Sequence, residues 1–475
     1  MLRLLRRVLW VGVVAGLAPV AGAFTLLGPL ATWQTALLSY DLNMPLTGTL
    51  GPMNLGSEYR WNVPTVYYGF TSDFLNYFGE RGAEEVDKAF AMLNTLPSFA
   101  GTASKTNIAN YPMSSMRVNH RAQALGLTDV KSFVLQSMMF QLGAGDPTRF
   151  VYCIRNRYIL GACPPIYYHV IKRNFDPQTL QYSSYINGDL WTYVNIIDSC
   201  EINKATLFPE PVDPMALLGY RHAPVTSQIA MVPGGFWTTF TQDDIAALWY
   251  MYRKDNYNVE NIPPGVTGGT NFFGANGSPW SIPPWYLTNG YATNITSGTN
   301  AFIEPGLRGG VSKVTFTRVD YDSLLGAFFT PVTNIYTENV IYNGQQISQG
   351  VQRILALPDI IIDAADLQGG DTLDGIVTAG FAGTAWDNNQ DITTGSTTEG
   401  PGVIAPPSGG STLLLTLNNV GPIWGNQWPQ FLSEADAIQP SQNLLWGSFD
   451  GSTNEPVVYP IGTSIEALEA SVLGR

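Results

Sequence analysis

Imidazoles are as scarce as thiols in this 475-residue chain, with His120, His169 and His222 as the whole set. No two stand at the spacing that lets one helix face hold an ion, so each reads as a surface or hydrogen-bonding histidine. Cys153, Cys163 and Cys200 lie in one neighbourhood without a Cys-x-x-Cys pair. An oxidising compartment permits one disulfide between two of them, with three pairings open and one thiol left over. Asp387-x-Asn389-x-Asp391 opens like a calcium loop, but it lacks the sixth-position Gly and ends on Thr398, so it reads as an Asx-rich turn. The acids Asp363, Asp366, Asp371 and Asp374 suit calcium and solvated turns equally well. Neither a G-x-S-x-G elbow nor a phosphate-cradling G-x-x-x-x-G-K-[ST] loop occurs. Trp280, Trp285, Trp424 and Trp428, set among Gly and Pro, offer either stacking on sugars or loop packing, with packing the simpler account. Paired carboxylates for glycoside hydrolysis meet in space and leave no trace in sequence.

The elements that would position any site follow from periodicity. Val63 to Phe70 is β-branched and aromatic and reads as a strand. Gly82 to Leu96 places Val86, Phe90 and Leu93 on one helical stripe behind an acidic first turn of Glu84, Glu85 and Asp87. A second helix is expected from Thr128, as its cap, to Leu142, ending at Gly143. It has almost no polar face, which implies burial on nearly all sides. Phe150 to Arg155, Ile166 to Arg173 and Leu190 to Ile197 read as strands joined by turns at Gly161 and Asn187-Gly188. Thr241 to Arg253 is a third helix, opened by a Thr cap and two acids. A Gly/Pro/Asn/aromatic tract over 256–306 reads as a linker or long loops. Beyond it, Val311 to Val319, Asn334 to Tyr342, Gln345 to Leu355, Leu413 to Leu417 and Leu444 to Phe449 read as strands, and Ser464 to Leu473 as a closing helix.

The frame Gln136-Ser137-Met138-Met139-Phe140-Gln141-Leu142-Gly143-Ala144-Gly145-Asp146 sits on the buried helix and its exit. Downstream come Ile229-Ala230-Met231-Val232-Pro233 and Thr241-Gln242-Asp243-Asp244-Ile245-Ala246-Ala247-Leu248. In this order the three segments resemble the matrixin-like branch of the metzincin zinc peptidases. That family places H-E-x-x-H-x-x-G-x-x-H/D on its second helix, a methionine turn beneath the metal, and a last helix with an acidic start. The resemblance covers Tyr59 to Arg253. It implies that Gln136 and Phe140 stand where zinc-binding histidines belong, Ser137 where the general base belongs, Gly143 at the turn, Asp146 at the third ligand and Met231 beneath the metal. An amide is a poor zinc ligand, a phenyl ring is none, and a hydroxyl cannot take a proton from water near neutral pH. The interval from Asp146 to Met231 exceeds the family's usual length, so a β insertion over about 147–222 is expected there. The surrounding blocks also resemble those of large exported bacterial proteins of unassigned function.

The amino terminus carries Arg3, Arg6 and Arg7, an apolar run from Val8 to Leu17, and Ala21-Gly22-Ala23. This reads as a secretory signal peptide, residues 1–23, whose removal leaves Phe24 first. The apolar run is short for a bilayer span, and no transmembrane anchor is expected after cleavage. Loss of the leader leaves 21 basic against 37 acidic residues, which excludes a phosphate-binding surface and hence nucleic acid as partner. Charged residues are 13% of the chain against roughly 25% in ordinary domains, so few like charges hold copies apart. The expected architecture is α+β. A lead-in over 24–56 precedes a zincin-like domain over 57–255, then the 256–306 tract and a mostly β carboxy-terminal domain over 307–475. The expected role is a non-catalytic binding or structural protein, secreted or at the cell surface, with the periplasm open. No cofactor or metal is expected, and self-association or a surface protein or glycan is the expected partner. The alternative is a secreted enzyme, an unconventional metallopeptidase or a glycan-active hydrolase.

Overall fold

In the computed structural model the described residues are 22–38, 40, 50–100, 108–160, 166–199, 204–216, 221–262, 266–268, 303, 306–321, 329–364, 381–382, 385–388, 401–405, 412–417 and 445–472. In chain order, the elements that matter here begin with β1 (Thr25–Pro29), β2 (Thr65–Phe70), α1 (Ser72–Asn94), α2 (Val130–Gln141) and β3 (Ala144–Gly145). There follow β4 (Cys153–Ile159), β5 (Ile166–Ile171), β6 (Asp189–Ser199), β7 (Lys204–Pro211) and α3 (Gln242–Tyr252). The last are β8 (Thr315–Arg318), β9 (Val332–Tyr342), β10 (Gln345–Leu355), β11 (Ile360–Asp363) and β12 (Leu413–Thr416). The protein is mixed α+β with more strand than helix.

The central sheet has five strands in the order β8-β2-β11-β12 and Phe381–Ala382. The first four are mutually parallel, and the short edge strand runs antiparallel to β12. Parallel strands are covered on both faces, which is why β11 and β12 read Ile-Ile-Ile and Leu-Leu-Leu instead of alternating. Four of the five strands come from beyond residue 307, so the sequence division at 256–306 does not separate two independent sheets. The core runs across it too: Phe78 of α1 lies 6.2 Å from Trp446 and 5.0 Å from Tyr459 by ring centroids, and Phe133 of α2 lies 4.9 Å from Trp446.

Buried charge reinforces the join. Arg60, fully buried, donates to Glu260 at 2.8 Å and to the carbonyls of Met251, Asn256 and Arg308. Arg308 in turn holds Glu338 of β9 through Nε and Nη2, at 3.0 and 3.1 Å. Arg353 of β10 pairs with buried Asp359 and donates to the Thr65 carbonyl. In a chain so poor in charge, these ions sit inside because each has a partner within hydrogen-bond reach.

Helix α1 starts ten residues earlier than the stripe at Val86 suggests. Thr71 caps it, accepting the Phe74 N–H at 3.2 Å and donating its hydroxyl to Asp363 at 2.6 Å. The hidden first turns pass through Gly79 at φ +64, a break in the helix that only glycine takes readily. The stacked pair Phe74 and Phe78 precedes it. Helix α2 is capped by Asp129 rather than Thr128, and α3 by Thr241 as expected.

The stretch 147–222 contains two antiparallel strand pairs, β4-β5 and β6-β7. The Asn187-Gly188 turn leads into β6, with both residues at positive φ. Arg157 of β4 and Tyr168 of β5 both donate to Asp198 of β6, which ties the hairpins together, and Arg157 holds the Asp198 carboxyl below its ordinary range. Their outer surface exposes Tyr158, Tyr167, Val194 and Ile197. A third hairpin, β9-β10, turns at Asn343-Gly344 in the two-residue left-handed geometry that such pairs favour.

Two glycines differ in what they permit. Gly143 has φ +93, and a Cβ there would lie 2.2 Å from the Tyr59 carbonyl oxygen; Gly344 has φ +75 with open space around it. Gly143→Ala is therefore expected to destabilise by about 2–5 kcal/mol, and Gly344→Ala by about 1–2 kcal/mol. Urea denaturation of the two variants checks the order.

Candidate functional site

Helix α2 is sealed. Gln136, Ser137, Met138, Met139 and Phe140 are all 0% exposed, and Asp146 beyond the Gly143 turn is 2% exposed. The turn exists because β1 runs antiparallel to β3 and the Leu27 N–H donates to the Gly143 carbonyl at 2.8 Å. Trp61 Nε1 and Tyr252 Oη donate to the last helical carbonyls, of Gln141 and Leu142, at 2.7 and 2.9 Å. A helix end buried this deeply needs such partners.

Two of the three expected ligand positions, Gln136 and Asp146, are tied to the segment 225–227. Gln136 Nε2 donates to the carbonyls of Val225 at 3.1 Å and Ser227 at 2.8 Å. Asp146 caps a short helix (Pro147–Phe150) and accepts both the N–H and the hydroxyl of Thr148, whose oxygen lies 3.2 Å from Ser227 Oγ. From the other side, Asp244 of α3 accepts the N–H groups of Val225 and Thr226 at 3.0 and 3.4 Å, while also accepting from its own cap Thr241. The segment 225–227 is thus held by donors from α2, an acceptor from α3 and a hydroxyl from the turn after Gly143. Four residues on, Met231 is buried in the same apolar core as Met138, Met139 and Phe140.

Electrostatics support a structural rather than reactive centre. Burial raises the Asp244 carboxyl above its ordinary range against the hydrogen bonds that lower it. Arg149, one turn after Asp146, is pushed down to about 10 by burial, with Asp146 pulling it back. Burial raises the Cys153 thiol to about 12, so it is a poor nucleophile. Cys153 is a free thiol, whereas Cys163 and Cys200 fall outside the described residues. Two atoms in the centre have no hydrogen-bond partner among the described residues, Gln136 Oε1 and Ser137 Oγ.

No group of three metal-ligating side chains occurs among the described residues. His120 opens a short helix, His169 lies on β5, and His222 Nδ1 lies 2.8 Å from Asp189. Asp363 accepts from Thr71, and Trp280, Trp285, Trp424, Trp428, Asp366, Asp371, Asp374 and Asp391 fall outside the described residues. No described helix is long and apolar enough to cross a membrane. Sequence reasoning missed Ser227, Thr148 and the Arg60 cluster, and no motif marks the first two. For Arg60, lone charges in apolar surroundings, Glu58 and Arg60 beside Trp61, were the available signal.

A cleft of about 320 Å³ lies beside that cluster, between Asn62 and Lys254 on one wall and Tyr336 and Gln346 on the other. Among the described residues its single acidic lining residue is Glu338, which Arg308 grips with two nitrogens. Compared with protein-family models, curated proteins and solved structures, the chain matches none significantly.

Because the Ser137 hydroxyl is buried without a partner, Ser137→Ala is expected to leave stability unchanged or raise it by up to about 1–3 kcal/mol. Gln136→Ala loses two hydrogen bonds and leaves a void, and is expected to lower stability by about 2–4 kcal/mol. Equilibrium unfolding in urea separates the two.

Asp129, the cap of α2, accepts the N–H and hydroxyl of Ser132 at 2.9 and 2.6 Å. Burial pushes its carboxyl up to about 6, against the pull of Lys131 and of Ser132, while Glu85 adds to the rise. A carboxyl with a raised folded pKa binds its proton more tightly when folded, so its contribution is full below about pH 4 and lost as pH rises through about 6. Asp129→Asn keeps a capping oxygen and is expected to flatten the decline in thermal midpoint between pH 4 and about 7 relative to the parent chain. Parallel melting curves across that range test it.

Proposed function

We propose that this is an exported, non-catalytic binding or structural protein of the cell surface or extracellular matrix, built on a zincin-like core with a dismantled metal site. The observation that carries the reading is the clamp on 225–227. At the expected ligand positions, Gln136 Nε2 donates to the Val225 and Ser227 carbonyls and Asp146 accepts from Thr148, whose oxygen lies beside Ser227 Oγ, so both are tied to the chain just ahead of Met231. With Phe140 and Ser137 fully buried between them, neither an ion nor a peptide has access. Each apolar side chain filling that space contributes roughly 1.5–3 kcal/mol to stability, so the centre acts as core.

The hairpins support the binding half of the reading. Tyr158, Tyr167, Val194 and Ile197 are each more than half exposed on a surface with little charge to repel a second copy. The enzyme alternative finds less support at the open cleft. Glycoside hydrolysis needs two carboxylates facing one bond, and the cleft presents one, already neutralised by Arg308.

The test uses the purified mature protein. Metal analysis is expected to find zinc well below one ion per chain, and a peptidase assay to show no chelator-sensitive cleavage. Sedimentation is expected to show concentration-dependent association that the double variant Val194→Glu, Ile197→Glu weakens without lowering the thermal midpoint. Stoichiometric zinc with chelator-blocked cleavage, or a monomer at all concentrations that binds neither cells nor glycans, overturns the reading.

A further inference from the structure

The cleft of about 320 Å³ is walled by the approach to β2 at Asn62 and Pro64, the exit of α3 at Lys254 and Tyr257, the strap 309–312, and the β9-β10 hairpin. The strap is pressed onto the end of α3, where the Gly310 and Ser312 N–H groups donate to the carbonyls of Arg253 and Tyr252 at 3.1 and 2.8 Å. A Cβ at Gly309 would lie 2.1 Å from the Lys254 carbonyl oxygen, so backbone lines that side. Ser312 takes φ +61 there, a left-handed conformation that a residue other than glycine adopts rarely and that gathers at binding sites.

The lining is polar with little free charge. Glu338 is spent: Arg308 holds it with two nitrogens, and Gln349 Nε2 donates to it at 2.6 Å. Among the described residues the aliphatic lining is Pro64 and Val311, too little for a lipid or an apolar peptide side chain. Asn62 is 5% exposed, and its Oδ1 has no hydrogen-bond partner, although its Nδ2 donates to the Asn261 carbonyl at 2.8 Å. Asn339 and Gln346 add exposed amides, each able to donate and to accept. Tyr336 packs against the main core, and burial raises its hydroxyl above the ordinary range, so it stays a donor. Tyr257 is 47% exposed. A ring of hydroxyls asks for such a set: groups that donate and accept in turn, and aromatic faces to cover its apolar side.

We propose that this cleft binds a neutral mono- or disaccharide unit, held by the amides of Asn62, Asn339 and Gln346 against the rings of Tyr257 and Tyr336. The inference deepens the binding reading, on which it rests, by giving that reading a ligand and a place. The volume stands at the lower end of the roughly 300–1,000 Å³ of small-molecule pockets, which limits the ligand to that size. With its one carboxylate neutralised, the cleft holds a sugar without cutting it.

The purified protein is titrated calorimetrically with maltose, cellobiose, lactose and N,N′-diacetylchitobiose. At least one is expected to bind with a Kd at or below about 1 mM. The double variant Tyr257→Ala, Gln346→Ala, at two exposed positions, is expected to weaken that binding at least about tenfold without moving the thermal midpoint. The hairpin variant Val194→Glu, Ile197→Glu is expected to bind the sugar as the parent chain does. Failure of all four sugars to bind, or binding that the cleft variant leaves unchanged, overturns this inference and leaves the binding reading to its association test. New reducing ends are expected to be absent after long incubation with the bound sugar. Their appearance, lost in the cleft variant, overturns this inference and the non-catalytic reading together.

Discussion

Three residues of loop, Val225 to Ser227, are the meeting point on which the centre of this protein depends. Helix α2 reaches them with an amide, α3 with a carboxylate, and the turn after Gly143 with a hydroxyl. None of these groups has access to water, so each must find its partner in the chain. In such a place a polar atom left alone is worth roughly 1–3 kcal/mol of lost stability, and a matched one returns only about half of that. The arrangement is therefore held more by the penalty for disrupting it than by what its bonds add. Such a centre resists small changes and offers little for chemistry.

The same logic extends to the buried arginines. Arg60, Arg308 and Arg353 each bridge segments more than 190 residues apart or anchor a hairpin to the sheet, and each is matched by a carboxylate and by backbone carbonyls. A guanidinium suits this because its planar fork of donors can serve a side chain and several carbonyls at once. Arg60 and Arg353 thereby join the early segment around residues 60–65 to parts of the chain beyond residue 250.

Much of the local structure was legible in the sequence. The β2 run, the body of α1, the all-apolar α2 with its Gly143 exit, the Asn187-Gly188 turn and the acid-capped α3 follow from periodicity and capping, which are local properties. The break at Gly79 hid the first half of α1, because a glycine there reads as an end. Asp129 displaced Thr128 as cap, since both residue types suit the position and only the tertiary contact with Ser132 chooses. Sheet membership was not legible. Ile360 to Ile362 and Leu413 to Leu415 announce buried strands, but nothing in them says that Tyr68 is their neighbour, and a division drawn at a change in composition concealed the pairing. At the site, Gln136, Phe140, Asp146 and Met231 were identifiable by resemblance alone. Ser227 and Thr148 carry no motif, and only coordinates reveal them.

The parallel pairing of β2 with β8 and β11, strands from much later in the chain, has a consequence for biogenesis. β2 is laid down near residue 65, yet its two neighbours begin at residues 315 and 360, and β12, which completes the parallel set beside β11, at residue 413. Until then α1 can pack on α2 and β2 but not on β8 or β11, and the loop to be closed is most of the chain, so long-range closure rather than local structure governs when the sheet is complete. A polypeptide of this design cannot complete the parallel set of its central sheet before the strand at 413–416 has been made.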